Sequence, residues 1–189
     1  MSLNKSVIAA LDQHKGYSLS DADIRHIMGN RCNIITYSQI RNYGSIDQLL
    51  GSWGVCFVLY EWKEHYGHWC LLIKSGKLLE FFDPYGGFPD SQLHHVPEAM
   101  KVKLGEDYPY LSRLMMHFEG DLSYNEFQFQ KLDKETKDCG RWCILRAELK
   151  DAPLKVFADL FKGLYGDQLA TFMTTPNDEL IPSEEEYEN

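Results

Sequence analysis

GVCFVLYEW (54–62), HWCLLIK (68–74) and KLLEFFD (77–83) stand almost back to back, with YG and SG before the second and third runs. Each run is short and apolar or alternating, and the residues between them are turn formers. Three consecutive antiparallel strands are therefore predicted. With SG as a two-residue loop, Lys74 pairs with Lys77 and His68 falls opposite Asp83. Directly opposed residues share one side of a sheet with Cβ atoms roughly 4.5–5.5 Å apart, so the carboxylate reaches the imidazole. Such a carboxylate fixes the ring's orientation and tautomer and stabilises its protonated form. Alone, an Asp before Pro84, Tyr85, Gly86 and Gly87 is a turn initiator, and a strand histidine needs no task. Brought together, they become candidate functional residues.

Outward from these strands the period changes. Upstream, Ser20 with Asp23, ahead of Ile24 and Ile27, forms a capping pattern for a short helix that Gly29 ends, and Ser45 caps a further turn, IDQLLG. Downstream, VPEAMKVKL and YLSRLMMHF carry helical patches, and LSYNEFQFQ alternates as one more strand. CGRWCILRAELK and PLKVFADLFKGL follow as two helices, with Asp151 and Pro153 marking the break. This order predicts an α+β domain with helices packed on a mainly antiparallel sheet.

Composition fits one such domain. The chain has 189 residues, 44% hydrophobic and 13% aromatic, enough for a single packed core. Mean hydropathy is -0.38, and no apolar run reaches the length of a membrane span. The opening MSLNKSVIAALDQHKG is interrupted by Asp12 too early for a secretory signal, so an intracellular protein is expected rather than a secreted one. A net charge of -9 disfavours nucleic acid as the main partner, because that binding depends on neutralising phosphates. Residues 176–189 hold six acidic residues and no base, so residues 1–175 are expected to be the folded domain and 176–189 a flexible acidic tail. Five cysteines without framework spacing argue for reduced thiols.

Among those thiols, Cys139 begins a predicted helix, where unpaired backbone N–H groups and the helix dipole favour a thiolate. Gly140 beside it presents no side chain to obstruct a substrate, and N–H groups at a helix start can donate to an oxyanion. Cys32, Cys56, Cys70 and Cys143 are better taken as small buried hydrophobes, and the other histidines as surface or packing residues. The spacings of Cys139, Cys143, His65, His68 and Cys70 do not match a structural zinc site, so neither metal nor cofactor is expected. In LSYNEFQFQ, Gln128 and Gln130 fall on one face of an extended strand, with Phe127 and Phe129 on the other. Either glutamine is a candidate oxyanion donor or merely a solvated polar residue.

The order His68, Asp83, Gln130, Cys139, carried by GHWCLLI, EFFDPYG and NEFQFQ…DCGRWC, resembles the cysteine proteases of the adenovirus maturation protease and SUMO-specific protease superfamily over residues 20–165. The resemblance implies a papain-like core in circularly permuted order, with peptide bonds hydrolysed by a nucleophile at a helix N-terminus. Its catalytic residues would be Cys139, His68 and Asp83, with Gln130 as oxyanion donor; Trp69 would wall a narrow cleft that admits Gly or Ala before the scissile bond. Nine positions separate Gln130 from Cys139, a longer gap than the family usually has. The motif forms are most similar to those of large DNA viruses and virophages. That implies a monomeric protease maturing a capsid precursor, in the virion or the host-cell cytoplasm, with a protein or peptide substrate and no membrane partner. Two alternatives stay open: a deconjugase of a ubiquitin-like modifier, and a non-catalytic interaction module on the same fold.

Overall fold

The computed structural model describes residues 16–161 and 166–175, together with Leu11 and His14. The acidic stretch 176–189 lies outside the described residues. Five strands, β1 (Asn33–Thr36), β2 (Val55–Lys63), β3 (Tyr66–Ser75), β4 (Leu78–Phe82) and β5 (Asp121–Tyr124), lie side by side in chain order. The three expected strands form the antiparallel centre, β2 against β3 and β3 against β4. The outer strands run parallel to their neighbours, β1 to β2 and β4 to β5. β2 and β3 are buried on both faces, which is why their sequences are nearly continuous in apolar residues.

The β3–β4 register differs from the expected one by two residues. Lys74 pairs with Leu79 and Ser75 with Leu78, so the loop is Gly76–Lys77. Gly76 has φ +59 and Lys77 is not left-handed, the pattern of a II′ turn with glycine at its first central position. A slip of two preserves the side of every residue, so Asp83 still shares a face with His68. It lies just beyond the end of β4 and reaches His68 diagonally instead of from directly opposite. The β2–β3 turn also moves, to Glu64–His65, leaving Tyr66 and Gly67 in β3. A register shift between Glu61 and Lys63 presses Gly67 onto its partner strand, where any Cβ would run into the Tyr60 carbonyl oxygen.

The helices are α1 (Asp21–Met28), α2 (Ile46–Leu50), α3 (Glu98–Leu104), α4 (Tyr110–Met115), α5 (Cys139–Glu148), α6 (Leu154–Leu160) and α7 (Gly166–Thr174). Ser20 and Asp23 close a capping box on α1, and Ser45 caps α2 through the Gln48 N–H, both as expected. α1, α5, α6 and α7 contribute to the core on one face of the sheet, and α2 and α4 to the core on the other. This is the expected α+β class. β1 and α7 were not foreseen, and LSYNEFQFQ forms a strand only to Tyr124. From Asn125 onward the chain leaves the ladder because that side chain bonds backbone: Oδ1 accepts from the Asp83 N–H at 2.8 Å, and Nδ2 donates to the Asp83 carbonyl at 2.6 Å.

α5 is buried from Cys139 to Ala147, although it carries two arginines. Arg141 donates to Thr174 and Thr175 of the C-terminal segment. Arg146 donates from Nε and Nη2 to the two oxygens of Glu80 in β4, at 2.7 and 2.8 Å. This fork–fork pair locks α5 to the sheet and so fixes the place of its N-terminus. Replacing Glu80 alone with Leu strands a buried guanidinium and is expected to cost about 3–5 kcal/mol, whereas Glu80→Leu with Arg146→Met should recover most of that loss. Urea denaturation measures both, and equal losses in the two variants would contradict the role of the pair.

Candidate active site

His68 Nε2 and Asp83 Oδ1 are 2.7 Å apart, and both side chains are almost wholly shielded from solvent. The Asp83 carboxylate is held on every side. Oδ1 also accepts the Tyr85 N–H at 2.8 Å, and Oδ2 accepts from Gln92 Nε2 at 2.6 Å. Asn125 grips both backbone groups of the same residue. Gly87 is required here, since a Cβ would lie 2.5 Å from Asp83 Oδ2. The Tyr85 ring stacks on the imidazole at 4.4 Å, 10° from parallel, and the Trp62 ring lies 6.4 Å from it at 7°.

The imidazole's other nitrogen, Nδ1, is buried without a well-formed hydrogen bond. The sulfur of Cys139 is close enough to favour the protonated ring both as a hydrogen-bonding group and, when ionised, as a charge. Burial, the largest influence, works against the protonated ring, but the Asp83 charge and hydrogen bond, helped by Cys139, lift the His68 pKa to about 9. Burial likewise pushes the Asp83 carboxyl up, and His68, the Tyr85 N–H and the Gln92 amide together hold it below its ordinary value. The charged pair thus contributes stability that is lost as pH rises through the folded pKa of His68, and also as pH falls through that of Asp83. Between those limits an imidazolium faces the sulfur of Cys139 in a dry site.

Cys139 is the first residue of α5 and only 5% exposed. Gly140 fits against Leu19 and Trp69, where a Cβ would come within 3.2 Å of Leu19 and 3.3 Å of Trp69. The Trp69 indole is nearly buried and donates to the Leu19 carbonyl at 2.9 Å. The two glutamines do not share a strand face. Gln128 is exposed, with Nε2 donating to the Gln130 carbonyl, whereas Gln130 is 1% exposed, with Nε2 donating to the Thr136 carbonyl at 3.0 Å and Tyr85 Oη at 3.2 Å. The segment before Cys139 folds back so that Gln130 joins Tyr85, which itself stacks on His68.

Among the described residues, His68, Cys70 and Asp83 each offer an atom within 4.8 Å of the others and could hold a metal ion. Their chemistry favours a hydrogen-bonded pair instead. Nε2 and Oδ1 already satisfy each other, and burial pushes the Cys70 thiol well above its ordinary pKa, against thiolate ligation. Gln92, Asn125, Tyr85 and Trp62 were not singled out from the sequence. DPYGG reads as a turn with no hint that its tyrosine covers a histidine, and Asn125 sits inside an alternating run that looks like strand.

Fold and site together define an α+β domain built around a buried thiol, imidazole and carboxylate. The chain belongs to the family of protein V9 of the Sputnik virophage, an uncharacterized protein to which it is 37% identical over 172 residues, or 90% of this chain and 95% of V9. No protein-family model matches. Two solved structures are similar in fold. The ASFV pS273R protease has TM-score 0.47 and 11% identity, covering 86% of this chain and 68% of its own. The SUMO protease Ulp1 has TM-score 0.43 and 16% identity, covering 96% and 98%.

A histidine NMR titration tests the electrostatics of the site directly. The His68 imidazole should titrate near pH 9, and Asp83→Asn should bring it below the ordinary value of 6.5, because burial remains when the charge is gone. A wild-type midpoint at or below 6.5 would contradict the pairing.

Proposed function

We propose that this protein is a cysteine endopeptidase in which Cys139 is the nucleophile, His68 its base and Asp83 the group that orients and stabilises the imidazolium. The observation that carries this is the 2.7 Å contact between His68 Nε2 and Asp83, which leaves Nδ1 for the thiol at the first turn of a buried helix. Cys139 Sγ attacks the scissile carbonyl as a thiolate, its proton held by His68 in an ion pair. Backbone N–H groups at the start of α5 stabilise the oxyanion, with Gln130 Nε2 turning one N–H from Tyr85 toward it. The C–N bond then breaks as His68 protonates the departing amine, leaving a thioester. A water molecule, deprotonated by His68, hydrolyses the thioester, releasing the acid and restoring the sulfur–imidazolium pair.

A groove of about 310 Å³ on the Trp69 side, lined in part by Leu19, Asp21, Arg25, Leu59, Gly67 and Trp69, suits the acyl side of the substrate. The tight fit of Leu19 and Trp69 around Gly140 supports a slot that passes glycine or alanine and excludes larger side chains before the cut. Kinship with a virophage protein supports a capsid precursor as the natural substrate.

Cys139→Ala and His68→Ala should each abolish cleavage of a peptide library without unfolding the protein, while Asp83→Asn should leave a measurable remnant. Normal turnover by Cys139→Ala would sink the mechanism. EDTA should have no effect on the wild-type rate, and inhibition by it would point to a metal. The same library, read for residues before the cut, should give Gly or Ala for the wild type and a broader, slower pattern for Trp69→Ala. A wild-type preference for bulky or charged residues there would rule out the slot.

A further inference from the structure

A second groove, of about 710 Å³, adjoins the His68–Asp83 pair and is lined in part by Trp62, Tyr85, Gly86, Gly87, Gln92 and Leu132. Three of these touch the candidate active site. The Tyr85 and Trp62 rings lie nearly parallel to the imidazole, and Gln92 uses its Nε2 to hold Asp83 Oδ2.

Two polar atoms of this lining are left over. Gln92 is 4% exposed, and its Oε1 has no hydrogen-bond partner; the Trp62 Nε1–H is also buried without one. Buried polar groups are ordinarily satisfied, and leaving one unsatisfied is costly, so a pair of orphans on one groove points to an occupant that completes them. One is an acceptor and the other a donor. An extended polypeptide offers that combination, because its backbone presents N–H and C=O groups in alternation. Gly86 and Gly87 add a stretch of lining without side chains, which lets another backbone come close. The rest of the lining is mixed, with the largely exposed Leu132 beside the polar Ser91, His95, Asp133 and Lys134.

We infer that this groove holds the amine-side segment of a linear polypeptide substrate, with a backbone N–H donating to Gln92 Oε1 and a backbone C=O accepting from Trp62 Nε1. The inference rests on the protease reading, because it is His68 that hands its proton to the departing amine, and the groove lies against His68. It narrows the substrate class. The enzyme cuts within an extended chain and engages several residues after the bond, chiefly through their backbone. A modifier linked through a lysine side chain presents no such backbone at the start of its leaving group.

The experiment uses the full chain and a combinatorial peptide library, with cleavage sites mapped by mass spectrometry. The best-cleaved peptide is then remade with four, two or one residues after the bond, and with single N-methylated amides on that side. Shortening from four residues to one should lower kcat/KM roughly tenfold, mainly through KM, and N-methylation at one position should do much the same. Trp62→Phe keeps a ring and removes the N–H, so it should shrink the advantage of long over short substrates severalfold. Equal kcat/KM for long and short substrates, or an unchanged ratio in Trp62→Phe, overturns the groove assignment while leaving the protease reading intact. Cleavage of an isopeptide-linked lysine conjugate but of no linear peptide also overturns it. If no substrate of either kind is cut, the protease reading falls and takes the inference with it.

Discussion

The hydrogen bond between His68 and Asp83 sets the terms for the rest of the molecule. Two ionisable groups almost wholly removed from water are tolerable only if each satisfies the other and all remaining lone pairs are met. The surroundings read as a response to that demand. Tyr85 and Gln92 take up the other carboxylate positions, Asn125 pins the backbone, and Gly87 clears the space beside Oδ2. The irregular path after β5 follows from the same requirement, because Asn125 can clamp Asp83 only by leaving the strand ladder. What remains unsatisfied is Nδ1, and that nitrogen is turned toward the thiol.

The second constraint is the placement of that thiol. α5 begins at Cys139 and is buried along nearly its whole length, so its N-terminus cannot drift without disturbing the core. Two arginines inside such a helix look wasteful until their partners are seen. Arg146 ties α5 to β4, the strand that leads into Asp83, and Arg141 ties it to the end of α7. Cys139 and Asp83 are thereby referred to one rigid body. Cys139 and His68 are both nearly buried, and Trp69 lies against the turn that follows the thiol.

Much of this was legible in the sequence, and the limits have local causes. The three central strands and the two serine caps rest on near-neighbour patterns, and those held. The side of the sheet shared by His68 and Asp83 was also right, although the hairpin turns at Gly76–Lys77 and not at Ser75–Gly76, because a two-residue slip keeps every side chain on its face. β1 is only four residues long, too short for any period to declare itself, and its pairing with β2 is parallel and nonlocal. Asn125 and Gln92 act on a residue far from them along the chain, and neither belongs to a recurring motif. The strand expected through Gln130 failed because alternation over a few residues cannot distinguish a ladder from a loop whose bonds go elsewhere.

The most direct test of the account is intact-mass spectrometry after treatment with a short peptide carrying a vinyl sulfone in place of its C-terminal glycine carbonyl. The account predicts a single adduct, mapped to Cys139, lost in Cys139→Ala and greatly slowed in His68→Ala. Adducts spread over the other cysteines, or labelling of Cys139 at an undiminished rate without His68, would contradict it.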